Sequence, residues 1–455
     1  MNPKPKITFV TGVGTVTGAN FLLECGHNTK ILIDCGLVQG ERVALEENKE
    51  PFPYALDSIT ALFITHAHLD HVGRIPKLVR EGYVGPIYST EQTRELAELV
   101  LDDAVHILEN EARQNGTTPL YEASDVAAVF TLWKTIPYHE TFKLNNDVSV
   151  VLKDAGHILG SSMFEVSTGN TKILFTGDLG NSPSVLLRDT ESIGDVDYVV
   201  MESVYGDRNH EPKDERSRKL ESIIRATLAR GGTLVIPAFS IDRTQVLLYE
   251  LNNMRESNRI PKVPVFVDSP LGIKATDVYR RSTELFNDNV QEQIRKGDDI
   301  FSFPQLEYTE TGRESHKIDN YRQPQIIVAG SGMSVGGRVI SHEESFLPDP
   351  KSTILLVGYQ TAGSLGRELA DGAREVHIHG RRIKVRAKIE TLYGYSAHKD
   401  SDHLVQFVSE ASSRLKEVFV VMGEPGSSMH LAQRLNDEIY RKAVVPERNK
   451  PYELN

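Results

Sequence analysis

Three imidazoles and one carboxylate fall within six residues, His66-Ala67-His68-Leu69-Asp70-His71. They follow the apolar run Ala61-Leu62-Phe63-Ile64-Thr65, which reads as a buried strand. The cluster therefore sits where a strand ends and a loop begins. Packing gains nothing from titratable groups at that density, whereas a divalent metal does: neutral imidazole and carboxylate are usual ligands of zinc and similar ions. His66 and His68 are two apart, so in an extended segment they point the same way. Asp70 and His71 then turn off and can reach a second ion.

A two-metal site needs more than one such cluster, and the chain offers further candidates, each at a strand end. Gly156-His157 follows the strand Val148–Lys153, and Gly177-Asp178 follows Lys172–Thr176. Asp34 ends Lys30–Asp34 and precedes Cys35-Gly36. A lone His or Asp in such a place is commonly a turn or cap residue. Three of them, spaced along a chain that also carries His-x-His-x-Asp-His, point to metal ligation.

The chain has 455 residues, which suits two domains or one domain with a large insertion. No apolar run approaches membrane-spanning length, and Met1-Asn2-Pro3-Lys4-Pro5-Lys6 leads into a strand rather than a signal peptide, so no membrane association is expected. Two cysteines, Cys25 and Cys35, exclude a disulfide scaffold and fit a cytoplasmic compartment. Neither has a zinc-ligand neighbour at the usual spacing, and both read as core-strand residues. The net charge of −12 by itself argues against a nucleic-acid binder. Two bound divalent ions would offset part of it. There is a local exception: Arg381, Arg382, Lys384, Arg386 and Lys388 lie close together, and the last four alternate, so they face one side of a strand, either as a solvated face or as a phosphate-facing stripe.

The first part of the chain reads as consecutive strands, Ile7–Val10, Phe21–Cys25 and Lys30–Asp34. Helices Glu91–Asn115 and Ser124–Lys134 follow, then strands Val148–Lys153, Met163–Val166, Lys172–Thr176 and Asp197–Met201. From about Gly206 the texture changes to helix–strand alternation, with helices Glu215–Arg230 and Arg243–Arg255 between strands Thr233–Pro237, Val263–Asp268, Gln325–Ala329 and Thr353–Val357. Continuous apolar strands between helices suggest a parallel sheet covered by helices. After Gly366 the chain returns to strands, Val376–Ile378 and Ile383–Leu392, followed by two helix–strand units. The polar tail Glu447–Asn455 is expected to fray.

The order Asp34, His66–His71, His157, Asp178 resembles the metallo-β-lactamase superfamily. Met201-Glu202-Ser203-Val204-Tyr205-Gly206, followed by an inserted helix–strand region, resembles its β-CASP branch, which contains RNase J and the endonuclease of cleavage and polyadenylation. Thr15-Val16-Thr17-Gly18, Ile236-Pro237-Ala238-Phe239-Ser240, Val267-Asp268-Ser269-Pro270, Ser331-Gly332-Met333, Gly336-Gly337-Arg338, Gly358-Tyr359-Gln360, Gly363-Ser364-Leu365-Gly366-Arg367 and Tyr395-Ser396-Ala397-His398 extend the match over essentially the whole chain.

The resemblance implies an α/β fold: an αββα sandwich over 1–205 and 366–455, interrupted by a β-CASP domain over 206–365. It implies that His66, His68 and His157 hold one zinc, that Asp70 and His71 hold another, and that Asp178 bridges the two. Asp34 would orient a ligand histidine through its other ring nitrogen. Asp70, His398 and Glu202 would be catalytic. Backbone N–H groups at Ser331, Gly332 and Met333, before an expected helix, suit a phosphate nest or a plain tight turn, and Arg367 is a further substrate-binding candidate. Asp400 and Ser401 suit the cap of the helix after His398.

One position departs from the pattern. The branch supplies another second-metal histidine in a Val-His-Gly-Glu stretch, whereas this chain has Val421-Met422-Gly423-Glu424. A thioether is a poor zinc ligand, so Met422 reads as an apolar plug. Either the second zinc survives more weakly on Asp70, His71, Asp178 and water, or only the tighter site fills, or His377, His379 or His430 substitutes. The first of these is favoured, because every other site residue is present. The leading expectation is a zinc-dependent phosphodiesterase acting on single-stranded RNA, with two zinc ions per chain and a homodimer in keeping with its relatives. The alternatives are a metallohydrolase of a small phosphoester or other ester, and an RNA-binding scaffold with a crippled site. Endonuclease or exonuclease action depends on the shape of the cleft.

Overall fold

The computed structural model describes residues 4–26, 28–39, 46–321, 324–361 and 363–455; Met1, Asn2 and Pro3 of the leading segment lie outside them. The chain divides into two compact units, Met1–Asn209 with His398–Asn455, and His210–Ala397.

The first unit contains two seven-stranded sheets. One runs in the order Pro451–Glu453, Lys6–Thr11, Asn20–Glu24, Lys30–Ile33, Ala61–Phe63, Ile87–Ser89, Trp133–Thr135. The other runs Ala443–Val444, Glu417–Val420, Tyr198–Met201, Thr171–Phe175, Ser162–Thr168, Val148–Asp154, Phe142–Lys143. Successive side chains of a strand point to opposite faces, and this alternation assembles the layers. Tyr198 and Val200 turn into a core shared with Phe9, Phe21, Phe63 and Phe164 of both sheets. Val199 and Met201 turn the other way and pack on Leu404, Val408, Leu431 and Leu435 of helices Ser401–Ser409 and Pro425–Asp437. Phe419 faces inward by the same rule, while Val418 and Val420 face the helices. Helix Glu91–Asn115 packs on strand Trp133–Thr135 and on helix Ala123–Leu132. The result is the expected helix–sheet–sheet–helix sandwich.

The second unit is built on a six-stranded sheet in the order Leu306–Tyr308, Val265–Asp268, Gln325–Ala329, Thr233–Pro237, Thr353–Leu356, Lys388–Thr391. Every pairing in it is parallel. Strands Val265–Asp268, Gln325–Ala329, Thr233–Pro237 and Thr353–Leu356 are buried along their whole length, as continuous apolar strands between helical layers must be.

Four expectations are corrected. The tail does not fray: Pro451–Glu453 pairs with Lys6–Thr11 as an edge strand, Tyr452 packs against Phe9 and Phe419, and Leu454 is buried. Apolar residues at alternate tail positions outweigh the polar ones between them. Helix Ser124–Lys134 ends at Leu132, because Trp133 is drawn into the first sheet, where its indole N–H donates to Ser89 Oγ at 2.8 Å. The strand Ile383–Leu392 is two strands, Arg381–Lys384 and Lys388–Thr391, in different sheets. Arg386 N and Ala387 N both donate to Leu347 O and break the ladder between them. The chain re-enters the first unit at His398 rather than at 366, since Lys388–Thr391 completes the second unit's sheet.

Candidate metal centre

Each motif residue on a strand is released at its carboxyl end. Asp34 follows Lys30–Ile33, His66 follows Ala61–Phe63 and the extended Ile64-Thr65, and His157 follows Val148–Asp154. Asp178 follows Thr171–Phe175, Glu202 follows Tyr198–Met201, and Met422 follows Glu417–Val420. The last four strands share one direction, so their ends line one edge of the second sheet.

The first group is His66, His68, His157 and Asp178, each offering a ligand atom within 4.8 Å of the others. His68 Nδ1 lies 3.1 Å from His66 Nε2 and 3.2 Å from His157 Nε2. Asp178 Oδ2 lies 3.4 Å from His66 Nε2 and 3.6 Å from His157 Nε2. The second group is Asp70, His71 and Asp178. There His71 Nε2 is 3.4 Å from Asp178 Oδ1 and 3.8 Å from Asp70 Oδ2. Asp178 thus presents one oxygen to each group.

His71 Nε2 and Asp178 Oδ1 are buried and have no hydrogen-bond partner. A buried polar atom left unpaired costs about 1–3 kcal/mol, and a cation between these two would satisfy both. The donor set of imidazoles and a shared carboxylate fits zinc-type ions. Burial holds His68 and His157 well below the usual histidine range, which keeps the imidazoles neutral, the form that ligates. Burial alone would raise Asp178, but His71 and His66 beside it hold its carboxyl well below the usual range.

A polar relay orients the rings. His71 Nδ1 donates to Asp34 Oδ2 at 2.7 Å, which commits Nε2 to the cluster. Thr65 N and Oγ1 donate to the two Asp34 oxygens, each at 2.8 Å, and Thr65 Oγ1 lies 3.1 Å from His66 Nδ1. The backbone around the motif is cross-tied: Cys35 N donates to His71 O and Ala19 N to Asp70 O, both at 2.9 Å. Gly36 fits against this loop because it has no side chain; a Cβ there would lie 1.5 Å from Asp70 O.

The third group is Asp178, Glu202 and His398. His398 Nδ1 lies 3.1 Å from Glu202 Oε1, which also accepts from Leu179 N at 2.7 Å. Burial would lower His398, but the Glu202 carboxylate carries it up to about 9. Asp400 caps the next helix through His403 N.

Met422 does not join these groups. It is buried in the core between the sheets at φ 47°, with its N–H donating to Gly12 O at 2.8 Å. Its sulfur lies 2.8 Å from where a Gly12 Cβ would stand. None of the alternative histidines belongs to a metal group among the described residues. His430 Nδ1 lies 3.0 Å from Gly206 O, His379 pairs with Glu344, and His377 is exposed on a strand of the second unit.

Ser331, Gly332, Met333 and Arg367 lie in the second unit, after the carboxyl end of Gln325–Ala329 and on helix Leu365–Ala370. Phe239 lies against Gly332 so closely that a Cβ there would meet its ring at 2.6 Å. Gly332 O accepts from Gln360 and Met333 O from Gly366 N, so these carbonyls are tied down. Helix Val339–Phe346 begins well after this loop. Arg367 donates to Asp371 at 2.9 Å.

Two contributors have no motif of their own. Thr65 precedes His66, where a strand-end threonine draws no notice. Lys399, beside His398, is buried and donates through Nζ to Gly180 O at 2.9 Å and Ser182 Oγ at 2.7 Å. It thereby ties the loop after Asp178 to the loop of His398. Burial lowers its ammonium to about 8.

Residues 22–201 match the metallo-beta-lactamase superfamily domain, 244–369 the Beta-Casp domain, and 382–446 the Zn-dependent metallo-hydrolase RNA specificity domain. The chain is 35% identical over 393 residues to Ribonuclease TTHA0252 of Thermus thermophilus, covering 86% of this chain and 88% of that protein. It is 32% identical over 461 residues to Transcription termination factor FttA of Methanosarcina mazei, covering 97% and 70%. The same factor of Thermococcus kodakarensis is 33% identical over 463 residues, covering 96% and 69%. A crystal structure of a protein of unknown function from Enterococcus faecalis shares the fold, with a TM-score of 0.55 at 14% identity, covering 99% of this chain and 100% of that one.

Proposed function

Because the chain belongs to the β-CASP branch of the metallo-β-lactamase superfamily, we propose that it is a zinc-dependent ribonuclease that hydrolyses phosphodiester bonds of single-stranded RNA. The observation that carries this reading is the pair of ligand groups sharing Asp178, with His71 Nε2 and Asp178 Oδ1 buried and without a hydrogen bond. Two divalent ions held there would lower the pKa of water and stabilise charge on both sides of an in-line displacement at phosphorus.

The chain's own groups divide the remaining work. His66, His68 and His157 would hold one ion with Asp178, and Asp70 and His71 would hold the other. Asp70 also positions the attacking water and accepts its proton. Glu202 keeps the His398 Nδ1 proton engaged, so the ring acts through Nε2 on a phosphate oxygen or the leaving oxygen. Asp34 sets the tautomer of His71. Ser331, Gly332, Met333 and Arg367 take the substrate-binding role.

Met422 leaves the second group without a further ring nitrogen, so a second zinc would bind more weakly there than the first. This substitution also favours a second reading, an RNA-binding scaffold whose hydrolytic site is weakened. Two buried, unpaired cysteines suit a cytoplasmic home, and no helix of the described residues is long and apolar enough to cross a membrane. Pairing of two copies is checked by sedimentation.

The test is incubation of zinc-loaded protein with 5′-labelled and 3′-labelled single-stranded RNA, beside His68→Ala. Cleavage by the parent alone is expected, and the two ladders separate internal cutting from end-wise removal. Intact RNA, with zinc measured on the protein, would reject the nuclease.

A further inference from the structure

Six cations, Arg374, Arg381, Arg382, Lys384, Arg386 and Lys388, face one acid, Glu375, within a short stretch of a chain whose net charge is −12. The fold gathers the first five at one ribbon, while Lys388 lies on the end strand of the six-stranded sheet. Strands Glu375–Ile378 and Arg381–Lys384 form a two-stranded antiparallel ribbon. Such a ribbon is marginal alone. It is held by its apolar face: Val376, Ile378 and Ile383 pack into the core of the second unit with Leu369 and Ile389.

The other face is therefore committed to solvent. Register sets His377 opposite Arg382 and Glu375 opposite Lys384 on that face. Arg382 is 70% exposed, and His377 and Lys384 are exposed as well. Arg386 continues the alternation past the strand end, and Arg374 flanks the ribbon. Three of the six cations are engaged, Arg382 by Glu375, Arg381 by Glu344 and Lys388 by Glu390. Arg374, Lys384 and Arg386 have no ion pair among the described residues, although an ordinary solvated surface mixes the signs of its charges.

Apart from the His377 ring, the exposed face holds no aromatic or aliphatic side chain that could anchor a protein partner. What it offers is a cation at every second residue, Arg382, Lys384 and, past the strand end, Arg386, with Glu375 the one acid among them. That suits a polyanion with regularly spaced charges and no required side chain.

We propose that this ribbon face binds the phosphodiester backbone of single-stranded RNA, independently of base sequence. The proposal rests on the ribonuclease reading. It makes the second unit a contributor of backbone contacts, and it reconciles an acidic chain with a nucleic-acid substrate by confining the positive charge to one face.

The test uses the full chain carrying His68→Ala, so that RNA survives. Binding of a labelled RNA of about 30 nucleotides is followed by anisotropy from ~50 to ~200 mM salt, with and without Arg374→Gln, Lys384→Gln and Arg386→Gln together. Each lost contact to a single strand removes roughly 0.7 from the slope of log affinity on log salt. The triple variant is expected to bind more weakly at low salt, and the gap should narrow about 20-fold across that range. Exchanging the bases should leave this unchanged, and Arg374→Lys with Arg386→Lys should keep the parental slope.

Equal affinity and slope in the triple variant would overturn the proposal. So would a loss confined to a poly-glutamate probe run in parallel, which would reassign the face to an acidic protein. Thermal midpoints check that the variants fold. Cleavage by the chain without His68→Ala is scored separately, so failure of the ribonuclease reading is distinguishable from failure of the ribbon.

Discussion

The two units each bury a histidine among carboxylates, and they treat it in opposite ways. In the second unit, His342 donates to Asp268 at 2.7 Å and to Asp319 at 2.6 Å. Asp268 also accepts from Ser315 at 2.6 Å, Thr309 at 2.7 Å and Arg338 at 2.6 Å. Both imidazole nitrogens and both Asp268 oxygens are engaged. In the first unit, rings and carboxylates are crowded at 3.1–3.8 Å, yet His71 Nε2 and Asp178 Oδ1, 3.4 Å apart, make no hydrogen bond. Identical residue types thus make a closed structural clamp in one place and a candidate metal site with unsatisfied polar atoms in the other. The deciding property is hydrogen-bond satisfaction, since burial is common to both.

The sharpest way to break this contrast is to remove a ligand from the open cluster. His68→Ala should cut RNA cleavage by at least about a thousandfold, because the metal's stabilisation of the transition state amounts to several kcal/mol. Bound zinc, measured by atomic emission, should fall with it. Full zinc content and full cleavage in the variant would make the first cluster as structural as the second.

The closed cluster should respond to pH instead. Burial would lower His342, but Asp268 and Asp319 raise it from 6.5 to about 9. Its stabilisation is then complete below pH 6.5 and lost as pH rises through about 9. Asp268 moves the other way: burial would raise it, but His342, Ser315 and Arg338 lower it from 3.8 to about 2. That contribution is complete above pH 3.8 and lost as pH falls through about 2. The second unit should therefore be most stable between these limits, by about 3 kcal/mol relative to pH 9.5. Both shifts arise largely from one ion pair and count once. Thermal unfolding followed by circular dichroism should separate His342→Asn from the parent at pH 6 and bring the two together at pH 9.5. A constant gap would mean that His342 acts by packing rather than by charge.

The same contrast explains what the amino-acid order makes legible. His66, His68, Asp70 and His71 announce themselves because their density is local, and His157 and Asp178 because glycine-flanked polar residues end apolar runs. The clamp has no such signature: Asp268, Asp319 and His342 are far apart in sequence and meet only when parallel strands and helices stack. Lys399 escapes notice for a related reason, since a lysine reads as a surface residue until a fold buries it. The alternating cations after Arg381 suggest one strand, but hydrogen bonds from Arg386 and Ala387 to Leu347 O, contributed by a distant segment, divide it. The tail's pairing with Lys6–Thr11 likewise depends on residues hundreds of positions away.

Asp34 tests whether orientation, and not ligand count alone, distinguishes the open site. Asp34→Asn keeps the shape but replaces the carboxylate that fixes the His71 tautomer. Zinc affinity of the second group should drop by about 10–100-fold, as for other groups that orient metal ligands. Competition with a chromophoric chelator would read it, and an unchanged affinity would mean that backbone ties alone position His71.

The smallest expected effect lies at Met422, where the open site borders the closed core. The residue follows a strand aimed at the cluster, yet its sulfur packs toward Gly12 and Phe21, and its backbone is held in a left-handed conformation unfavourable to its side chain. Met422→His would supply the absent nitrogen at a cost in packing, because an imidazole fills that apolar space poorly. Second-ion affinity should rise by about tenfold, with greater cleavage at limiting zinc, while the thermal midpoint of the metal-free protein falls. A lower midpoint with unchanged affinity and cleavage would assign Met422 wholly to the core, and the second ion would then depend on Asp70, His71 and Asp178 alone.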